Sequence, residues 1–267
     1  MTLMCTSVQN RCGELGAFDR RLAIVIPAHD EAAHIGALIE ACRSVKPVAI
    51  VVVDDASSDA TSAVVGEAAS RLDSEVPVVL LRNPRNLGKQ GSVRRGLRAL
   101  REVDLDAVAL IDGDGQHDPL ELPALAALLE RFDFVIGARS RDEMPLQRQL
   151  SNWLVNLGFH LLGGVDFHDV QSGLRIFRKA LADVLAERLP DRGGYALEHE
   201  SLSALARHAR EQGRTLRAAA APISCAYGEA ESGIGVPQIL QLAADTVRHA
   251  LRFRRVADPE PILAGGA

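Results

Sequence analysis

The chain of 267 residues holds only four cysteines, Cys5, Cys12, Cys42 and Cys225, and no two stand at CxxC or zinc-ribbon spacing. A disulfide framework and a structural zinc site are therefore not indicated, and the thiols read as reduced groups of a cytosolic protein. No apolar run approaches the roughly 18 residues of a membrane-spanning helix, which excludes a span but leaves contact with a bilayer surface open. Residues 1–19 lack the basic start and apolar centre of a signal peptide. Positive charge is not in excess: 30 Lys and Arg stand against 35 Asp and Glu, a net −5, so nucleic acid is not an expected partner. No GxGxxG follows the first apolar segment, and no GxxxxGKS or GxxxxGKT occurs. Those absences argue against a Rossmann dinucleotide site and a P-loop.

What the chain does have is alternation. Apolar runs at Leu22 to Ile26, Val48 to Val53, Val76 to Leu81, Ala107 to Ile111 and Phe134 to Ala138 are separated by segments of helical period. Ile35, Leu38, Ile39 and Cys42, for example, mark one helix face. Further helices are expected at about 60–72, from Gly88, and at about 119–131. Such alternation implies crossover connections: an α/β fold with a mostly parallel sheet and helices on both faces. The second half is less regular. Helices are expected over 145–162, 195–210 and 236–255, with strands over Ser172 to Phe177 and Leu216 to Ile223. Residues 1–20 read as a loose leader, 21–235 as one domain, and 236–267 as an amphipathic helix and tail.

The most informative stretch is Asp112-Gly113-Asp114-Gly115-Gln116-His117-Asp118-Pro119, at the end of the fourth apolar run. Strand ends of open α/β sheets face the crevice where ligands bind. Asp112, Asp114 and Gln116 are hard oxygen donors suited to Mg²⁺ or Mn²⁺. The alternative is a strand-to-helix turn with Asp118 as N-cap and Pro119 at the first helical position; the two roles use different residues. The first two strand ends also carry acids, Glu31 and then Asp54 and Asp55. For Asp55 a ligand role is preferred to capping, while Asp54 fits either. Gly88-Lys89-Gln90-Gly91 opens a helix whose N–H groups and positive end suit a phosphate.

Pro27-Ala28-His29-Asp30-Glu31, Val53-Asp54-Asp55-Ala56-Ser57-Ser58-Asp59, Asn86-Leu87-Gly88-Lys89 and the Asp112–Pro119 stretch occur in this order, and together they resemble the family 2 glycosyltransferases of GT-A fold. Gly137-Ala138-Arg139 and Asp169-Val170-Gln171-Ser172-Gly173-Leu174-Arg175 are similar to the dolichol-phosphate mannose synthase branch, the polyprenyl-phosphate glycosyltransferases. His29 and Leu174 depart from the residues usual there. The resemblance implies a metal-dependent, inverting transfer of a sugar from a GDP- or UDP-linked donor to a polyprenyl phosphate. A non-polyprenyl glycan acceptor is the alternative. It implies that Pro27, Ala28 and Glu31 line the nucleoside pocket with Asp55, and that Lys89 lies near the nucleotide. Asp112, Asp114 and Gln116 would hold the metal and diphosphate.

An anionic acceptor needs cations, and Arg139, Arg148 and Arg141 follow the fifth strand in that order of preference. Ser172 and Arg175 are further acceptor-site candidates, with a structural salt bridge as the alternative for Arg175. Glu198 and Glu200 read as a solvated helix face. A lipid acceptor also needs an apolar landing surface. Trp153 to Leu162, and the last helix with Ile239, Leu240, Val247 and Leu251 beside Arg248 and Arg252, fit an interfacial role at a cytoplasmic membrane face. Core packing and a dimer face are the competing readings.

Overall fold

The computed structural model describes residues 21–71, 75–140, 144, 146–158, 160–161, 169–192, 197–226, 246–247 and 262–266. Strands β1 (Leu22–Ala28), β2 (Ala49–Asp54), β3 (Val78–Arg82), β4 (Ala107–Leu110), β5 (Phe134–Arg139), β6 (Arg175–Arg178), β7 (Leu216–Ile223) and β8 (Ile262–Gly266) form one sheet. Its order is β3-β2-β1-β4-β6-β5-β7-β8. Seven strands run one way; β6 alone is antiparallel to both neighbours.

The helices are α1 (Ile35–Ser44), α2 (Thr61–Ser70), α3 (Gly88–Ala99), α4 (Leu122–Ala127), α5 (Leu146–Gly158), α6 (Lys179–Arg188) and α7 (Leu197–Glu211). Side chains of a strand alternate between faces, so β1 divides its residues between two cores. Ala23 and Val25 pack with Val93 and Leu97 of α3, Leu185 of α6 and Leu202 of α7. Ile24 and Ile26 pack with Ile35 and Ile39 of α1, Val65 of α2 and Leu125 of α4. Gly96 lets α3 lie tight on the sheet, because a Cβ there would fall 2.5 Å from a methyl of Val25. Phe134 and Phe177 face each other across β5 and β6 with ring centroids 5.8 Å apart.

The antiparallel β6 has a functional consequence. It pairs Arg175 with Leu110, so the loop before it returns beside the Asp112 turn. The strand expected from Ser172 begins only at Arg175. The helix expected over 119–131 is broken into a 3₁₀ turn, α4 and a second 3₁₀ turn. Pro123 lacks an N–H and is tolerated only in a first turn, so the helix restarts there. Asp118 does cap that segment, accepting the Leu120 N–H at 2.9 Å. Residues 262–266, assigned above to a tail, extend the sheet beside β7. Apart from 246–247, the helix expected over 236–255 lies outside the described residues.

Candidate active site

The loops after β1 and β2 are stitched together at the sheet's open end. The Asp30 carboxylate accepts the Ser58 N–H at 2.7 Å, and Thr61 Oγ1 accepts the Glu31 N–H at 2.8 Å. Asp59 accepts N–H groups from both loops, those of Ala32 and Thr61. Asp54 is fully buried and accepts from the Ser57 N–H and the Ser62 hydroxyl. Burial would raise its pKa, but these bonds and Arg82 hold it below the usual carboxylate range. Asp54 is thus a structural group.

Asp55 is used differently from the ligand role expected. Its carboxylate accepts from Asn83 Nδ2 at 2.7 Å, from Leu87 N–H at 2.8 Å and from Gly88 N–H at 2.7 Å. A carboxylate at a helix N-terminus is favoured by the dipole, so Asp55 caps α3 from another strand. That occupies the Gly88 N–H, one of the groups expected to meet a phosphate. Pro27 and Ala28 close the end of β1, and the Ala28 carbonyl accepts the Asp55 N–H at 2.8 Å.

Capping fixes α3, and α3 carries Lys89 into the centre of the site. Its Nζ lies 2.7 Å from Asp112 Oδ1 and 2.8 Å from Glu198 Oε1. Burial opposes the ammonium charge, yet the two carboxylates raise the pKa of Lys89 above its ordinary value. For Asp112 burial likewise opposes the charge, and Lys89 outweighs it, so the group stays ionised. Both Asp112 oxygens are within reach of Lys89. Its carboxylate also lies directly over Gly173, where an added Cβ would meet it.

Asp114 is half-buried, and its Oδ1 accepts the Gln116 N–H at 3.0 Å. Glu31 lies in the same field: burial, then Asp114, raise its pKa, with a smaller contribution from Asp112. This crowding of negative charge suits a divalent cation. Among the described residues no three His, Cys, Asp or Glu side chains converge as a complete metal centre. The donor set therefore fits an ion that takes the rest of its shell from a bound diphosphate and water, as Mg²⁺ commonly does. Asp114 is the best-placed donor. Asp112 is engaged by Lys89, and Gln116 Oε1 accepts from Arg148 Nη1 at 3.1 Å.

A model of the Glycosyl transferase family 2 domain matches residues 23–185. The chain belongs to glycosyl transferase family 2. It is 27% identical over 187 residues to a UDP-N-acetylglucosamine–dolichyl-phosphate N-acetylglucosaminyltransferase of Methanococcus voltae, covering 64% of this chain and 74% of that protein. It is 32% identical over 170 residues to an undecaprenyl-phosphate 4-deoxy-4-formamido-L-arabinose transferase of Pseudomonas fluorescens, covering 61% of this chain and 48% of that protein. In shape it is similar to glucosyl-3-phosphoglycerate synthase of Mycobacterium tuberculosis, solved with Mn²⁺, UDP-glucose and phosphoglyceric acid. The TM-score is 0.65 at 20% identity, over 90% of this chain and 83% of that one. The architecture is the GT-A fold that the motif order implied.

Two cations of this glycosyltransferase depart from the acceptor roles expected. Arg139 is held in a two-pronged fork by Asp169, Nε to Oδ2 at 2.7 Å and Nη2 to Oδ1 at 3.0 Å. Arg175 is buried, and its guanidinium donates to the carbonyls of Val170, Ser172 and Glu198 and to the Ser201 hydroxyl. It braces the 169–174 loop against α7 and cannot reach an acceptor. Among the described residues it makes no salt bridge: three of its partners are backbone carbonyls, which a sequence does not display, and the fourth is a hydroxyl. Ser172 is fully buried. Arg148 remains at the site through Gln116, and Arg141 lies outside the described residues.

Glu198 corrects the solvated-face reading. It is 8% exposed and completes the Lys89 pair, whereas Glu200 is only partly buried. The available signal was an acid one residue after Leu197, on the first turn of a helix whose Leu202 and Leu205 mark a buried face. Gly173 supplies a test of the packed cluster. Gly173→Ala should lower turnover about 100-fold by displacing Asp112, with circular dichroism unchanged, since misplacing a catalytic group by about 1 Å has that scale of cost. An unimpaired Ala variant would show that the carboxylate has no fixed position to lose.

Proposed function

We propose that this glycosyltransferase moves a sugar from a nucleotide-sugar donor, GDP- or UDP-linked, to a polyprenyl phosphate at a membrane surface, with inversion at the anomeric carbon. The observation that carries the acceptor is helix α5. It buries polar side chains, Ser151, Asn152 and Asn156, and exposes Trp153 and Leu154, with Leu161 exposed just beyond. Val155 anchors the helix in the core, but the apolar surface that Trp153 and Leu154 turn to solvent suits a lipid interface. The same helix carries Arg148, which touches Gln116 of the aspartate turn. The lipid face and the chemical site are thus on one element. Relatives named for dolichyl and undecaprenyl phosphate support the same reading. No helix among the described residues is long and apolar enough to cross a membrane; peripheral binding at the cytoplasmic face is part of the proposal.

In this mechanism Pro27, Ala28 and Glu31 border the nucleoside, with Asp55 holding the α3 end of that pocket in shape. Asp114, with Gln116 and Asp112, would hold Mg²⁺ or Mn²⁺, which when bound would supply Lewis-acid neutralisation of the departing diphosphate. Lys89 adds positive charge beside the same position and fixes Asp112. A phosphate monoester has a second pKa of about 6, so its oxygen is already a nucleophile at neutral pH. That oxygen bonds to the anomeric carbon as the bond to the diphosphate oxygen breaks, and no general base is needed. Arg148 is the preferred cation for the incoming phosphate, while Arg139, forked to Asp169, and the buried Ser172 hold the neighbouring loop.

The test is incubation of the full chain with Mn²⁺, radiolabelled UDP- and GDP-sugars and undecaprenyl or dolichyl phosphate. The expected product is a lipid-linked sugar released by mild acid. Transfer only to a soluble or lipid-linked glycan would overturn the acceptor assignment. The triple variant Trp153→Ser, Leu154→Ser, Leu161→Ser should lose about tenfold or more in lipid transfer, because each exposed apolar side chain contributes about 1 kcal/mol or more of interfacial burial. Donor hydrolysis should be unchanged.

A further inference from the structure

Helix α3 has a second charged face. Lys89 points to the transfer site, while Arg94 and Arg98 lie about half a turn round the helix and line a separate cleft of about 580 Å³. Arg85 and Arg95 line it too, and Arg192, after α6, closes its far wall with Asp191. Five guanidinium groups therefore face one carboxylate, in a protein whose net charge is −5. Three of the five have partners. Arg94 pairs with Asp191 and donates to the Ala186 carbonyl, and Arg95 donates to Asn83 Oδ1 at 2.6 Å. Arg98 Nε donates to the same Ala186 carbonyl at 3.2 Å, and its Nη1 stands 4.0 Å from Asp191 with half the side chain exposed. Arg85 and Arg192 are exposed and form no ion pair with a described residue.

We propose that this cleft is a second anion site, separate from sugar transfer, that takes a phosphate monoester or diphosphate group. Arginines that line one cleft from three segments suit an anion with several charged oxygens better than a single carboxylate. The volume is that of a small-ligand pocket. Like charges held this close repel: burial first, and then Arg98, lower the pKa of Arg94. A bound anion would relieve that repulsion. The phosphate can belong to a soluble metabolite or to a lipid headgroup, and both present the same oxygens.

The experiment compares wild type with Arg85→Ala, Arg98→Ala, Arg192→Ala combined, all surface positions. One arm titrates sodium pyrophosphate by calorimetry in EDTA, so that metal-dependent binding at the transfer site does not contribute. The other measures co-sedimentation with phosphatidic acid vesicles against phosphatidylcholine vesicles. The triple variant should weaken at least one arm by about tenfold or more, the scale of lost charge-assisted hydrogen bonds. Weakening of the pyrophosphate arm alone assigns a soluble phosphate; weakening of the vesicle arm assigns a headgroup. Equal behaviour of the two proteins in both arms, including absence of binding, overturns the site. The single variant Arg98→Glu should reproduce the direction of the effect if the triple variant fails to fold.

Discussion

Asp114→Asn should reduce sugar transfer by about three orders of magnitude while the protein stays folded and becomes slightly more heat-stable. The loss follows from charge. Neutralisation of a departing diphosphate by a metal is worth several kcal/mol, and about 4 kcal/mol corresponds to about 10³ in rate. The retained fold follows from geometry. Among the described residues the side chain accepts one hydrogen bond, from the Gln116 N–H to Oδ1, and an asparagine oxygen accepts it equally. The gain in stability follows from Glu31, whose pKa is raised by burial and by Asp114. A carboxyl with a raised folded pKa binds more protons in the native state, so its contribution to stability is full below the unfolded value of about 4.3 and is lost as pH rises through the folded value. Removing the Asp114 charge reduces that loss at neutral pH. Differential scanning calorimetry with and without Mn²⁺, alongside turnover, tests both halves. A variant that kept near-normal rate and its Mn²⁺ dependence would take Asp114 out of the metal role.

Much of this site could be read along the chain because strand ends and the loops after them are contiguous. Glu31, Asp54, Asp55, Asp112, Asp114 and Gln116 each follow an apolar run, and the sheet brings their strands together as alternation requires. What could not be read is which partner each polar group has taken. Asp55 caps a helix that starts more than thirty residues later. Arg139 meets Asp169 across the β5–β6 connection. Glu198 reaches Lys89 from over a hundred residues away. The Asp55 cap follows from the β2–β3 pairing, and the Arg139 pairing lies beside the antiparallel return of β6; no local pattern announces either. The same limit explains α5. Its apolar residues signal a helix equally well whether they face a core or a bilayer, and only the structure shows that Val155 turns inward with Ser151, Asn152 and Asn156 while Trp153 and Leu154 turn outward.

Lys89→Met should cost both turnover and stability, and the two losses should separate on a second substitution. Lys89 sits between two carboxylates with only 28% of its side chain exposed, against 26% for Asp112 and 10% for Glu198. Removing one partner of a buried ionic group typically costs about 3–5 kcal/mol, and the residual solvent at Asp112 puts this case near the lower end, a fall in Tm of about 6–12 °C. Turnover should drop by about 10³ or more, because the positive charge beside the leaving diphosphate is lost as well. Adding Glu198→Gln to Lys89→Met relieves the repulsion between Asp112 and Glu198. The double variant should recover most of the stability and none of the activity. The pH dependence has a definite sign. In the wild type the depressed Asp112 contributes stability above about pH 4, lost only as pH falls through its folded pKa, and the raised Lys89 contributes below about pH 10, lost only as pH rises through its own. Between those limits the cluster adds no slope. In Lys89→Met the carboxylates face each other unneutralised, one of them binds a proton more readily in the folded state, and stability should rise as pH falls from 7 towards 5. A flat curve for Lys89→Met, or a double variant no more stable than the single, would mean that the ammonium does not hold these carboxylates together.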